Sequence, residues 1–136
     1  MKRGRAIGDA SWDSDTGEEG TPRADSDAPL FDPEGARRQL GLDASSFTRI
    51  FECIWLEVSE RRSRLEEAFA AGDLARVALH AHTIKSSAAT IGAGALSKAA
   101  AAVERAADDG RIEELAAAIA AFHRAKETLS KLLGMG

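Results

Sequence analysis

Three residues lie close enough in the sequence to do chemistry together. They are His82, Lys85 and Ser86, within the stretch AHTIKSSAATIGA that runs from Ala81 to Ala93. A neutral imidazole is a nucleophile. Such chemistry needs the ring where a second macromolecule can reach it. At about 100° per residue, Leu74, Val77, Ala81, Ile84, Ala88 and Ile91 share one side of a helix over Asp73 to Ile91. His82 falls roughly 130° from the centre of that stripe, on the side expected to face water. Lys85 is one turn on, in the same outward half, and Ser86 follows. Around them stand Ala75, Ala78, Leu79 and Ala89, small residues and one Leu where Lys, Glu and Arg would be usual on a solvated face.

The elements needed to hold this helix can be read in order. Residues 1–29 are rich in Gly, Asp, Ser and Glu, with Ile7 and Trp12 as the large apolar residues, so a disordered tail is expected there. Residues 30–136 are expected to form a single helical domain. Asp32-Pro33 reads as an N-cap followed by Pro at the first helical position. The short helix it opens should end near Gly41 and cover one end of a bundle through Leu30, Phe31 and Leu40. Asp43 opens a longer helix to about Ala71, with Phe47, Phe51, Ile54, Val58, Leu65 and Phe69 on one stripe and Leu56 roughly opposite. The arginines between Glu60 and Arg64 read as a solvated face with i, i+4 pairs to Glu57, Glu66 and Glu67. Gly72-Asp73 supplies a stop and a new cap.

After the histidine helix, which ends at Gly92, an Ala-rich helix is expected over Gly94 to Asp109, with Leu96 and Val103 as its larger apolar residues. A last helix spans Arg111 to Leu133, turning Ile112, Leu115, Ile119, Phe122, Leu129 and Leu132 or Leu133 inward. No segment alternates as a strand does. The fold class is therefore all-α: an antiparallel up-down-up-down four-helix bundle with a short additional N-terminal helix.

These residues carry a resemblance. AHTIKSSAATIGA resembles the signature of histidine-containing phosphotransfer (HPt) domains, A-H-x-L-K-G-S followed by a small or apolar run and G-A. The likeness extends to Leu30-Phe31-Asp32-Pro33, Ala70-Ala71-Gly72-Asp73, Val103-Glu104 and Asp109-Gly110. It implies that His82 is the phosphorylated residue, that Lys85 offsets phosphoryl charge and that Ser86, standing where the family usually has Gly, can donate a hydrogen bond. It also implies partners: receiver domains of response regulators and hybrid histidine kinases, docking over Ala75, Ala78, Leu79 and Ala89. The phosphoryl group would come from a receiver aspartate and pass to another receiver, with Mg²⁺ brought by the receiver. Glu104 resembles a family position without a chemistry of its own to assign.

The remaining histidines read differently. His80 is about 200° from His82 on the wheel, so it should border the core. That spacing also argues against a helical metal pair, and His123 has no ligand spacing to either. No metal and no cofactor are expected. No P-loop, kinase Gly-rich loop or carboxylate cluster for Mg²⁺ is present, so a phosphoryl carrier without kinase activity is expected rather than an enzyme.

Composition narrows the rest. The formal net charge is −4, with four basic and seven acidic groups in residues 1–29. No basic stripe with interleaved aromatics supports nucleic-acid binding. Cys53 is the single cysteine, which suits a reducing compartment. No signal peptide and no membrane span are expected, hence a cytoplasmic monomer. The main competing reading is a non-catalytic HPt-like binding module that docks on and modulates a histidine kinase or response regulator. A helical metal or cofactor bundle is a more distant one.

Overall fold

The computed structural model describes residues 31–134, and all of its regular structure is helical. Five helices follow one another: α1 Pro33–Leu40, α2 Ala44–Ala70, α3 Leu74–Thr90, α4 Gly94–Asp108 and α5 Ile112–Leu133. The expectations for residues 1–29, Trp12 and Leu30 lie outside the described residues.

Local chemistry starts the first three helices. Asp32 accepts a hydrogen bond from the Gly35 amide at 3.1 Å, Asp43 from Ser46 at 2.7 Å and Asp73 from Arg76 at 3.2 Å. Each carboxylate satisfies an amide that has no partner inside its helix. Neither α4 nor α5 has a side-chain cap. Their ends are set by tight turns at Ile91–Ala93 and Asp109–Arg111.

Cross-helix pairs show the directions. On α2 and α3, Arg61 meets His80 while Glu57 meets Ser87, so the two run antiparallel. On α3 and α4, His82 meets Glu104 while Lys85 meets Ser97, antiparallel again. Between α2 and α5, Glu66 meets His123 and Trp55 meets Lys126. The α2–α5 pair therefore closes the bundle on the side opposite the α3–α4 pair.

All four long helices supply the core. Val58 and Leu65 come from α2, Val77, Ala81 and Ile84 from α3, Leu96 and Val103 from α4, and Leu115, Phe122 and Leu129 from α5. Each of the larger ones contributes about 1.5–3 kcal/mol relative to an exposed position. Ala81, Ala88 and Ala100 are also buried, and side chains this small let α3 and α4 approach closely.

Several inward assignments change. Leu40 and Ile112 are exposed: α1 buries Ala36 instead, and Ile112 is the first residue of α5. Leu132 is exposed while Leu133 packs against the core. Trp55, absent from the expected α2 stripe, is buried because α5 covers that flank. Its ring stacks on Phe51 at 6.1 Å, and the Lys126 ammonium sits 4.8 Å from its centroid. Leu56 is exposed, as its place on the wheel implied.

α1 is fastened to the α3–α4 turn. The Asp32 amide donates to the Gly92 carbonyl at 2.8 Å, and a Cβ on Gly92 would overlap the Asp32 carbonyl. Gly92 has φ +81, so both its backbone conformation and its surroundings demand glycine.

Candidate functional site

The α3 stripe buries Val77, Ala81, Ile84, Ala88 and Ile91 and leaves the His82 side chain 58% exposed. Glu104 stands across the α3–α4 seam, one residue after the fully buried Val103. Its Oε2 lies 3.0 Å from His82 Nδ1 and its Oε1 lies 3.0 Å from Lys85 Nζ. One carboxylate thus holds both functional groups of the motif. The Ser97 hydroxyl donates to the Lys85 carbonyl at 2.9 Å and ties the two helices together beside it.

The proton positions follow. Burial alone would raise the Glu104 pKa, but hydrogen bonds from Lys85 and His82, and then their charges, outweigh it and hold the carboxyl below its usual range. A carboxylate only accepts, so Nδ1 of His82 carries the hydrogen. In the neutral ring the lone pair then belongs to Nε2. Nε2 has no hydrogen-bond partner among the described residues.

Sequence reading assigned no chemistry to Glu104. A usable signal was present: His82 lies about ten residues before Gly92 and Glu104 about twelve after it, so in a helical hairpin of equal rise they stand at nearly the same level.

Ser86 is exposed one turn beyond His82. Ala75, Leu79 and Ala89 are exposed as well, Leu79 at 57%. Ala78 is a correction: expected in the outward half, it is half-buried and packs against the core. His80 is 4% exposed, and Arg61 donates to its Nδ1 at 3.1 Å. Burial, followed by the charges of Arg61, Arg76 and Arg64, pushes its pKa down. The ring is neutral, enclosed and out of reach of a partner. His123 is half-buried, with Nε2 2.7 Å from Glu66 Oε2. Arg61 pairs with Glu57 and Arg62 with Glu66, as the spacing on α2 implied.

The Hpt domain family model matches residues 49–133. This chain belongs to the Hpt domain family. Hpt domains are phosphoryl carriers of two-component signalling, without a kinase domain, and their partners are receiver domains. A solved structure, histidine-containing phosphotransfer protein B (HptB) from Pseudomonas aeruginosa PAO1, superposes with a TM-score of 0.70 at 23% identity. The match covers 77% of this chain and 91% of that one, and supports the Hpt fold. No curated protein matches the chain. No helix of this Hpt domain is long and apolar enough to cross a membrane, among the described residues.

Proposed function

We propose that this Hpt domain carries its phosphoryl group on Nε2 of His82, taking it from the aspartyl phosphate of one receiver domain and delivering it to the aspartate of another. The Nε2 lone pair attacks phosphorus, the phosphorus–oxygen bond to the aspartate breaks, and the receiver carboxylate leaves. Transfer onward is the same step reversed. Nδ1 keeps its hydrogen throughout, so the phosphorylated ring is an imidazolium whose charge faces Glu104. Lys85 offsets charge on the phosphoryl oxygens, and the Ser86 hydroxyl donates to one of them. The receiver docks over Ala75, Leu79 and Ala89, whose small or apolar side chains leave the ring approachable.

The observation that carries this reading is the bond from His82 Nδ1 to Glu104, which leaves Nε2 as the nucleophile on an exposed side chain. The test is incubation with a phosphorylated cognate receiver. An acid-labile, alkali-stable label is expected on the wild type and on His80→Gln, and none on His82→Gln. Label that persists on His82→Gln would overturn the assignment. A wild type that binds receivers without ever becoming labelled would be a docking module instead.

A further inference from the structure

Across the bundle from His82, α2 and α5 are separated by a groove of about 580 Å³ lined by Arg62, Glu66, His123, Lys126, Glu127, Ser130 and Lys131. Its charges are only partly matched. Glu66 is shared between Arg62 at 3.1 Å and His123 at 2.7 Å, and Glu127 faces Lys131 at 3.7 Å. Lys126 has no carboxylate within ion-pair distance among the described residues; its ammonium rests over the Trp55 ring instead. Burial, and then the neighbouring Arg62 guanidinium, holds that ammonium below the usual lysine range. Two cations therefore stand together on a partly desolvated surface.

Ser130 is an independent sign. It is only 8% exposed, it lines the groove, and its hydroxyl makes no hydrogen bond among the described residues. Other hydroxyls in the bundle, such as those of Thr48 and Ser59 on α2, donate to the carbonyl four residues earlier. A buried hydroxyl without a partner is uncommon because the lost hydration is not replaced.

We propose that this groove is a second binding site, for a small phosphate monoester whose oxygens are met by the Arg62 guanidinium, the Lys126 ammonium and the Ser130 hydroxyl. A planar guanidinium, an ammonium and a hydroxyl form a donor set suited to a tetrahedral dianion. The groove has room for an organic portion beyond the phosphate itself. Because the α2–α5 face lies opposite the α3–α4 seam, a ligand there leaves His82 open to receivers.

Trp55 reports on the site directly, since Lys126 leaves its ring when it turns to an anion. The full chain carrying Trp12→Phe, so that Trp55 is the sole tryptophan, is titrated with ribose 5-phosphate, inorganic phosphate, a phosphoserine peptide and chloride at matched ionic strength. Ribose 5-phosphate is expected to give a saturable change in emission, and chloride none. Lys126→Met keeps the aliphatic stem over Trp55 and should weaken binding about tenfold. Ser130→Ala should weaken it about threefold and Arg62→Gln about fivefold. His82→Gln should leave it unchanged. A response that never saturates, equal responses to chloride and ribose 5-phosphate, or unchanged affinity in Arg62→Gln and Ser130→Ala would each overturn the site. Tighter binding of the phosphoserine peptide than of ribose 5-phosphate would overturn the small-molecule assignment.

Discussion

The carboxylate of Glu104 lies 3.0 Å from Nδ1 of His82 and, through its other oxygen, 3.0 Å from the ammonium of Lys85. It orients the ring and positions the cation with one group. Lys85 is one turn from His82 on α3, while the group that meets Nδ1 comes from α4 and leaves Nε2 without a partner among the described residues.

Glu104→Ala is expected to slow phosphotransfer more than Lys85→Ala. Losing a charge-assisted hydrogen bond costs about 1.5–3 kcal/mol, or about tenfold to a hundredfold in rate. Losing a partly exposed charge partner costs about 1 kcal/mol, or several-fold. Single-turnover transfer from a phosphorylated receiver measures both. Nitrogen NMR of the His82 ring is the accompanying readout, with Nδ1–H the dominant tautomer in wild type and a mixture in Glu104→Ala. A rate within twofold of wild type in both variants would reduce the pair to surface charges.

Gly92→Ala should be strongly destabilising. The residue has φ +81, and the new Cβ would overlap the Asp32 carbonyl that fastens α1. Strain of this kind costs about 1–3 kcal/mol before any loss of α1 contacts. A thermal melt checks it, with Gly110→Ala as the comparison, because that turn has open space around the Cβ position. Equal melting temperatures for the two variants would show that the α1 attachment contributes nothing.

His80 should make stability depend on pH. Its folded-state pKa lies below the usual 6.5, so above that value neither state is protonated and its contribution is fully present. As pH falls below it, the unfolded chain takes up a proton that the native ring refuses, and stability declines until pH passes the lowered folded value. Denaturant unfolding of wild type between about pH 7 and pH 5 should show this decline. His80→Gln should flatten it, and equal slopes in the two proteins would count against the enclosed neutral ring.

Ala89→Arg probes the proposed docking face. Ala89 is exposed one helical turn beyond Lys85, so arginine should leave helicity and the melting temperature unchanged. Obstruction near the centre of a receiver interface should weaken docking by about 1–3 kcal/mol. Calorimetric binding to a cognate receiver decides it, and wild-type affinity in the variant would move the interface elsewhere.

Much of this architecture was already legible along the chain. Asp32, Asp43 and Asp73 announce helix starts because a capping carboxylate acts on amides two or three residues away. The stripe from Val77 to Ile91 turns His82 outward because helical periodicity alone sets which side a residue occupies. That stripe also turns His80 inward, and the structure places it there. Such features depend on neighbours within a turn or two, and residue order encodes them directly.

What the tertiary structure decided are the pairings between helices and the flanks that neighbours cover. Trp55 is buried although it lies off the α2 stripe, because α5 occupies that side. Ala78 is half-buried, while Leu40 and Ile112 are exposed. Arg61 keeps its expected pair with Glu57 and also donates to His80 on the neighbouring helix. Above all, Glu104 becomes the partner of both His82 and Lys85. That pairing depends on how closely α3 and α4 approach and at what level their turn aligns them. The inter-helix distance is set by Ala81, Ala88 and Ala100 together, and no single segment contains that information.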